Sequence, residues 1–148
     1  MTTPARIAST CVMQTLRAAA RAVTQAYEAA LAPHGLTASQ FSALVAAALG
    51  DGVTMGQLAR RLGADRTTLT RVLAPLERRG LIASAAAKGD ARSRVVTLSP
   101  EGRALLAAAI PDWEDAQARA LARIGAGDWP AIQTRLARLR AEPDHDTG

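Results

Sequence analysis

Between Thr37 and Gly80 the sequence punctuates three helices so closely that it has room for little but a compact three-helix cluster. Thr37-Ala-Ser-Gln40 is a capping box. Its threonine hydroxyl takes the backbone N–H three residues on, and its glutamine amide reaches back to the threonine N–H. Phe41, Leu44, Val45 and Ala48 then share one helical face until Gly50-Asp51-Gly52 breaks the run. Thr54-Met-Gly-Gln57 repeats the box, and a short helix carries Leu58 and Leu62 to Gly63. Asp65 suits the N-cap of the next helix, whose Leu69, Val72, Leu73 and Leu76 follow i, i+3, i+4, i+7 to a stop at Gly80. Pro75 lies inside that helix and should bend it or loosen one turn.

The cluster is followed by a hairpin. Leu81-Ile82 and the soft stretch Ala83 to Ala87 precede the turn signal Lys88-Gly89-Asp90, and Val95-Val96-Thr97-Leu98 has the β-branched content of a strand. Long helices flank this centre. From about Arg6 to Leu31, Val12, Leu16, Ala19, Val23, Tyr27 and Leu31 recur at helical spacing, ended by Pro33-His34-Gly35. Ser99-Pro100-Glu101 combines an N-cap, a proline at the first helical position and an acid at the positive helix end. A long helix follows through Trp113 and Leu121, with a potential kink at Pro111. Asp128 is placed to cap a terminal helix bearing Ile132, Leu136 and Leu139, and the polar tail from Glu142 should fray. The fold class is mainly α with a small β-hairpin wing: a winged helix-turn-helix between N- and C-terminal helices.

Charge locates the chemistry. The window Thr54–Arg94 holds nine cations against three anions, whereas the whole chain carries only +5, so the rest is close to neutral. That is the footprint of a phosphate-binding surface, or of a solvated basic face. Arg66, Thr67, Thr68, Thr70 and Arg71 cluster at the start of the third helix, opposite its apolar face. Threonine hydroxyls bond base edges or phosphates, and arginine bonds guanine in bidentate fashion. The alternative is an ordinary surface helix with scattered arginines. In the hairpin, Asp90-Ala-Arg92-Ser-Arg94 puts two cations at the tip, with Asp90 near enough to orient Arg92. Such an arginine suits a narrow minor groove, or it forms only a turn-stabilising ion pair.

Other classes are disfavoured. There is no Gly-rich phosphate loop, no paired histidine and nucleophile, and no carboxylate cluster beyond the Asp112, Glu114, Asp115 helix face, so an enzyme is not expected. No run approaches the roughly 18 apolar residues of a membrane span, and no leader pattern is present, so we expect a soluble, cytoplasmic protein without membrane contact. Cys11 is the sole cysteine, and His34 and His145 lie far apart, so neither an internal disulfide, a metal site nor a bound cofactor is expected. Aromatics are 3% of the chain and alanine is abundant; helices this lean bury little area each and favour oligomers.

Met55-Gly-Gln-Leu-Ala-Arg-Arg-Leu-Gly63, Asp65-Arg-Thr-Thr-Leu-Thr-Arg71, Leu76-Glu-Arg-Arg-Gly-Leu-Ile82, Asp90-Ala-Arg-Ser-Arg94 and Val96-Thr-Leu-Ser-Pro-Glu-Gly102 together resemble the MarR family of transcriptional regulators. The resemblance covers nearly the whole chain and implies a single MarR-type domain over 1–148. Within it a winged lobe at about 36–98 would read double-stranded DNA at a pseudo-palindromic operator. Helices at about 6–31 and 99–141 would intertwine in a homodimer. A ligand pocket would lie between these arms and the lobe, and an aromatic or anionic small molecule would release the DNA, most commonly lifting repression. The chain departs from the family pattern at Ala83-Ser84-Ala85-Ala86-Ala87, where charged residues are usual, so a backbone contact should be missing and the wing mobile. A winged-helix protein-interaction module and a non-specific DNA binder are the alternatives.

Cys11 is similar in position, though slightly displaced, to the first-helix cysteine of the hydroperoxide-sensing branch of that family, while Tyr27 is the only tyrosine available to surround it. It is either an oxidant sensor or a small hydrophobe. Arg17 and Arg21, one helical turn apart, could activate that thiol or share an anionic inducer; an exposed helix face is the plainer reading.

Overall fold

The computed structural model describes residues 2–140. Helices α1 (Pro4–Thr10), α2 (Val12–Leu31), α3 (Ala38–Ala48), α4 (Met55–Leu62), α5 (Arg66–Arg78), α6 (Pro100–Ile124) and α7 (Trp129–Ala137) surround strands β1 (Val53–Thr54), β2 (Ile82–Ala87) and β3 (Asp90–Leu98). A 3-10 turn, Ala32–His34, links α2 to α3. The protein is mainly helical with a winged helix-turn-helix at its centre.

Local chemistry explains most boundaries. Both capping boxes form, Thr37 with Gln40 and Thr54 with Gln57. Asp65 and Ser99 cap α5 and α6 through Thr68 and Gly102. Helix α5 closes in a Schellman arrangement: the N–H of Gly80 meets the carbonyl of Glu77, and that of Leu81 meets Leu76, both at 2.9 Å. Gly80 adopts φ +68°, which a residue with a Cβ resists.

Three expectations need correction. The first helix is not continuous from Arg6 to Leu31, because Cys11 has extended backbone (φ −70°, ψ 111°) between α1 and α2. Ser9 and Thr10 donate their hydroxyls back to the Arg6 carbonyl at 3.2 and 2.7 Å, a competition that bends helices, and Val12 adds a second poor helix former. The sheet has three strands in the order β1-β3-β2, since Val53 and Thr54 pair with Val96 and Val95 beyond the hairpin itself. Asp128 sits at the N-cap of α7 but makes no side-chain cap bond, its backbone already being helical there. As the sequence placed them, Pro75 lies inside α5 and Pro111 inside α6, and each helix continues as a single element. Each proline costs one backbone hydrogen bond without ending its helix. The polar tail from Glu142 lies outside the described residues.

One apolar core unites lobe and arms. Leu31 from α2, Leu44 from α3, Leu58 from α4, Leu76 from α5, Val96 from β3 and Ala109 from α6 are fully enclosed together. Helices α2 and α6 pack along each other, and Trp113 lies 6.1 Å from Phe41 in a stacked pair and 6.3 Å from Tyr27 in a tilted one. The chain's scarce aromatics are therefore concentrated where α2, α3 and α6 meet.

Candidate nucleic-acid interface

Helix α5 is mounted by its apolar side. Leu69, Leu73 and Leu76 are buried, which turns Arg66, Thr67, Thr68, Thr70 and Arg71 outward, and all five are exposed. The Thr70 hydroxyl donates to the Arg66 carbonyl at 2.9 Å, leaving its oxygen as an acceptor toward solvent. Asp65 accepts from the Thr68 N–H at 2.7 Å.

That bond, followed by the Thr68 hydroxyl, holds the Asp65 carboxyl below its ordinary value. A depressed folded pKa means stability that is present above the ordinary carboxylate range and is lost as pH falls through the folded value. Thermal melts against pH will therefore show an acid limb that Asp65→Asn flattens while keeping the cap; Asp65→Ala loses both. An Asp65→Asn profile parallel to the parent at every pH rules the carboxylate out.

The wing meets the start of α5 across a cleft of about 380 Å³ lined by Met55, Gly56, Arg66, Asp90, Arg92 and Arg94. Strand β2 pairs with β3 from Ile82↔Leu98 to Ala86↔Arg94, and the register shifts after Ala86, where the tip begins. Asp90 accepts the backbone N–H of Arg92 at 3.0 Å, a bond within the turn and not to the guanidinium. The Arg92 side chain stays exposed. Arg94 is engaged within the wing: its Nη2 donates to the Ser84 hydroxyl at 2.5 Å and to the Ser84 carbonyl at 3.3 Å. The Ser84 hydroxyl in turn donates to Glu77 on α5. Ser84 thus occupies the stretch where charged residues were missing from the sequence, and its role was not visible there.

Other cations are also taken. Arg79 donates to the carbonyls of Gly35 at 2.7 Å and His34 at 3.4 Å, while His34 Nε2 and Asp112 Oδ2 lie 2.6 Å apart. The turn before α3 is thereby held between the end of α5 and the arm helix α6. Arg140 donates to the Arg60 carbonyl at 2.6 Å, a second polar contact between arm and lobe.

Two hollows open beside the aromatic cluster. One of about 230 Å³ is lined by Val23, Tyr27, Leu31, Phe41 and Trp113; the other, about 260 Å³, adds Val45, Leu49 and Arg61 to Phe41 and Trp113. Burial pushes the Tyr27 phenol above its usual range, and its hydroxyl donates to Gln117. Arg61, rather than Arg17 or Arg21, is the cation that lines the second hollow; those two are exposed on α2. Cys11 is a free, half-buried thiol at the α1–α2 break. Among the described residues no group of His, Cys, Asp and Glu could hold a metal ion, and no helix is long and apolar enough to cross a membrane.

A sequence model of the MarR family matches residues 34–93. The HTH-type transcriptional repressor Rv2887 of Mycobacterium tuberculosis is 33% identical over 114 residues, 77% of this chain and 82% of the relative. The chain belongs to the MarR family. Its winged fold superimposes on the transcriptional regulator MosR of Mycobacterium tuberculosis in complex with DNA, with a TM-score of 0.77 and 44% identity over 88% of this chain and 93% of that one. The repressor CouR bound to a 23-mer DNA duplex gives a TM-score of 0.80 at 27% identity, covering 95% of this chain and all of CouR. This MarR-family chain is accordingly a transcriptional regulator, and the exposed face of α5 with the wing is its candidate nucleic-acid interface.

Proposed function

We propose that the protein is a homodimeric repressor that holds a pseudo-palindromic operator through α5 and the wing, and lets go when a small molecule or an oxidant reaches it. The observation that carries this reading is the outward row Arg66, Thr67, Thr68, Thr70 and Arg71, set beside a wing cleft that also presents Arg92. Major-groove reading requires a helix that is polar where it meets base edges and apolar where it is mounted. The DNA-bound forms of MosR and CouR support the same assignment.

A dimer accounts for the apolar surface of the arms. Leu16, Val23, Leu121, Ile124, Trp129 and Ile132 line a hollow of about 450 Å³ between α2, α6 and α7. Ile7, Val12, Met13 and Leu139 are each more than half exposed, a display that an isolated soluble chain avoids. Two lobes held this way would address half-sites one helical turn apart. A ligand or thiol change would act by favouring the dimer conformation that no longer fits that spacing.

The inducer assigned here is an aromatic or anionic small molecule. The Phe41–Trp113 wall supplies the aromatic contact and Arg61 the counter-charge. CouR of Rhodococcus jostii binds p-coumaroyl-CoA, a ligand that is both aromatic and anionic. Cys11 supports the oxidant route, being a free thiol where α1 meets α2.

A gel shift on the DNA upstream of this protein's gene, with excess competitor at two salt concentrations, tests the reading. A discrete, competitor-resistant complex is expected; a complex that competitor abolishes would leave only general affinity for phosphates. On the operator so obtained, Arg71→Ala will cost about 1–3 kcal/mol of specific binding. Arg92→Ala will weaken binding and lower the salt slope by about one. Parent-like binding by both variants would discard these contacts.

A further inference from the structure

Three charged or polar groups between α5 and the wing form a chain that DNA contact alone does not require. Arg94 donates to Ser84, at 2.5 Å to its hydroxyl, and Ser84 donates to Glu77. A serine hydroxyl has a single proton; given to the carboxylate, it leaves the oxygen free to accept the guanidinium. The polarity runs one way, from cation through hydroxyl to anion, with each hydrogen bond assisted by a charge.

The chain spans three elements: Glu77 lies in the last turns of α5, Ser84 in β2 and Arg94 in β3. In the sheet register Arg94 faces Ala86, so Ser84 is its diagonal neighbour on the same side. Around these groups a cleft of about 270 Å³, lined by Arg66, Thr70, Leu73, Glu77, Ser84 and Arg94, separates α5 from the wing. Beyond Ile82 the other β2 side chains are all alanine methyls, so Ser84 is the one residue of that stretch able to bridge to α5.

We propose that Arg94 is a positioning residue: through Ser84 and Glu77 it ties the wing to α5 and fixes the distance between the two DNA-reading elements, instead of neutralising a phosphate. This rests on the reading of α5 and the wing as the DNA interface. Ser84 is a specificity determinant by the same argument. It sets the separation at which α5 in one groove and Arg92 in the next engage together.

The test pairs hydrogen–deuterium exchange of the wing amides in the free protein with operator binding over a salt series. Ser84→Ala removes no charge, yet it will speed wing exchange and weaken specific binding about fivefold, with the salt slope unchanged. Arg94→Met will do the same, also with the parent's slope, and the double variant will be no weaker than either single one. Ser84→Thr keeps the hydroxyl and restores the parent's behaviour. The proposal is overturned if Ser84→Ala exchanges and binds like the parent while Arg94→Met lowers the slope by about one, the mark of a phosphate contact. If the parent itself binds no operator, the DNA reading fails, and exchange in the free protein still decides whether the tether exists. All three positions are at or near the surface, so the variants will fold; thermal melting checks this.

Discussion

Gly102→Ala will destabilise the protein by about 3 kcal/mol, although the same change inside a helix usually gains about 1 kcal/mol. The sign is decided by space. A Cβ on buried Gly102 would stand 2.0 Å from the Leu81 carbonyl oxygen and 2.9 Å from both the Leu81 carbonyl carbon and Leu98 Cδ1. That oxygen cannot retreat freely, because it accepts the Ser99 N–H at 3.1 Å. Ser99 is itself doubly bound, its hydroxyl donating to the Gly80 carbonyl at 2.7 Å and accepting the Gly102 N–H at 2.9 Å. Any shift that admits the methyl strains the cap of α6 and the junction where the wing hands over to the arm. For a chain of this size the loss corresponds to a fall of about 10 °C in Tm. A melt at or above the parent's Tm would mean that the start of α6 can draw back, and that the contact is looser than its geometry indicates.

Leu76→Ala will cost about 2–5 kcal/mol, a large share of the 5–15 kcal/mol typical of a domain. Leu76 is fully buried in the last turns of α5, within the cluster that includes Leu44, Leu58 and Val96. Its carbonyl accepts the Leu81 N–H at 2.9 Å, so side chain and backbone both secure the turn that directs the chain from α5 into the wing. Truncation removes apolar contact and leaves a cavity that these closely held neighbours fill only partly. Leu76→Met conserves volume and should cost less than about 1.5 kcal/mol. Urea titrations separate the cases. Leu76→Ala is expected to lower the midpoint with m unchanged, and a midpoint equal to the parent's would show that the core can collapse around the loss.

These two positions differ in how far the sequence reveals them. Leu76 was legible as a core residue because its i, i+3, i+4, i+7 partners lie on the same helix. Gly102 was legible only as part of a motif, since the atoms that forbid a side chain there belong to Leu81 and Leu98. The two capping boxes, Asp65, Gly80 and Ser99 were likewise readable because each is satisfied within one turn of itself. The break at Cys11 had a local signal in Ser9 and Thr10 that helical periodicity outweighed. The pairing of Val53 with Val96 had none, its partner lying 43 residues on.

The candidate interface divides the same way. Charge and spacing exposed the row from Arg66 to Arg71 and the wing arginines, but not their employment. Only packing decided that Arg92 faces solvent while Arg94 is spent on Ser84, that Arg79 secures the turn at His34 and Gly35, and that Arg61 rather than Arg17 or Arg21 enters the aromatic hollow. By itself the sequence determined helices α3 to α6, the caps at Thr37, Thr54, Asp65 and Ser99, the hairpin and the basic block, because those follow from groups within a few residues of one another. Tertiary structure alone decided which cations are free, because an arginine side chain is long enough to choose among partners that the fold brings together from distant parts of the chain.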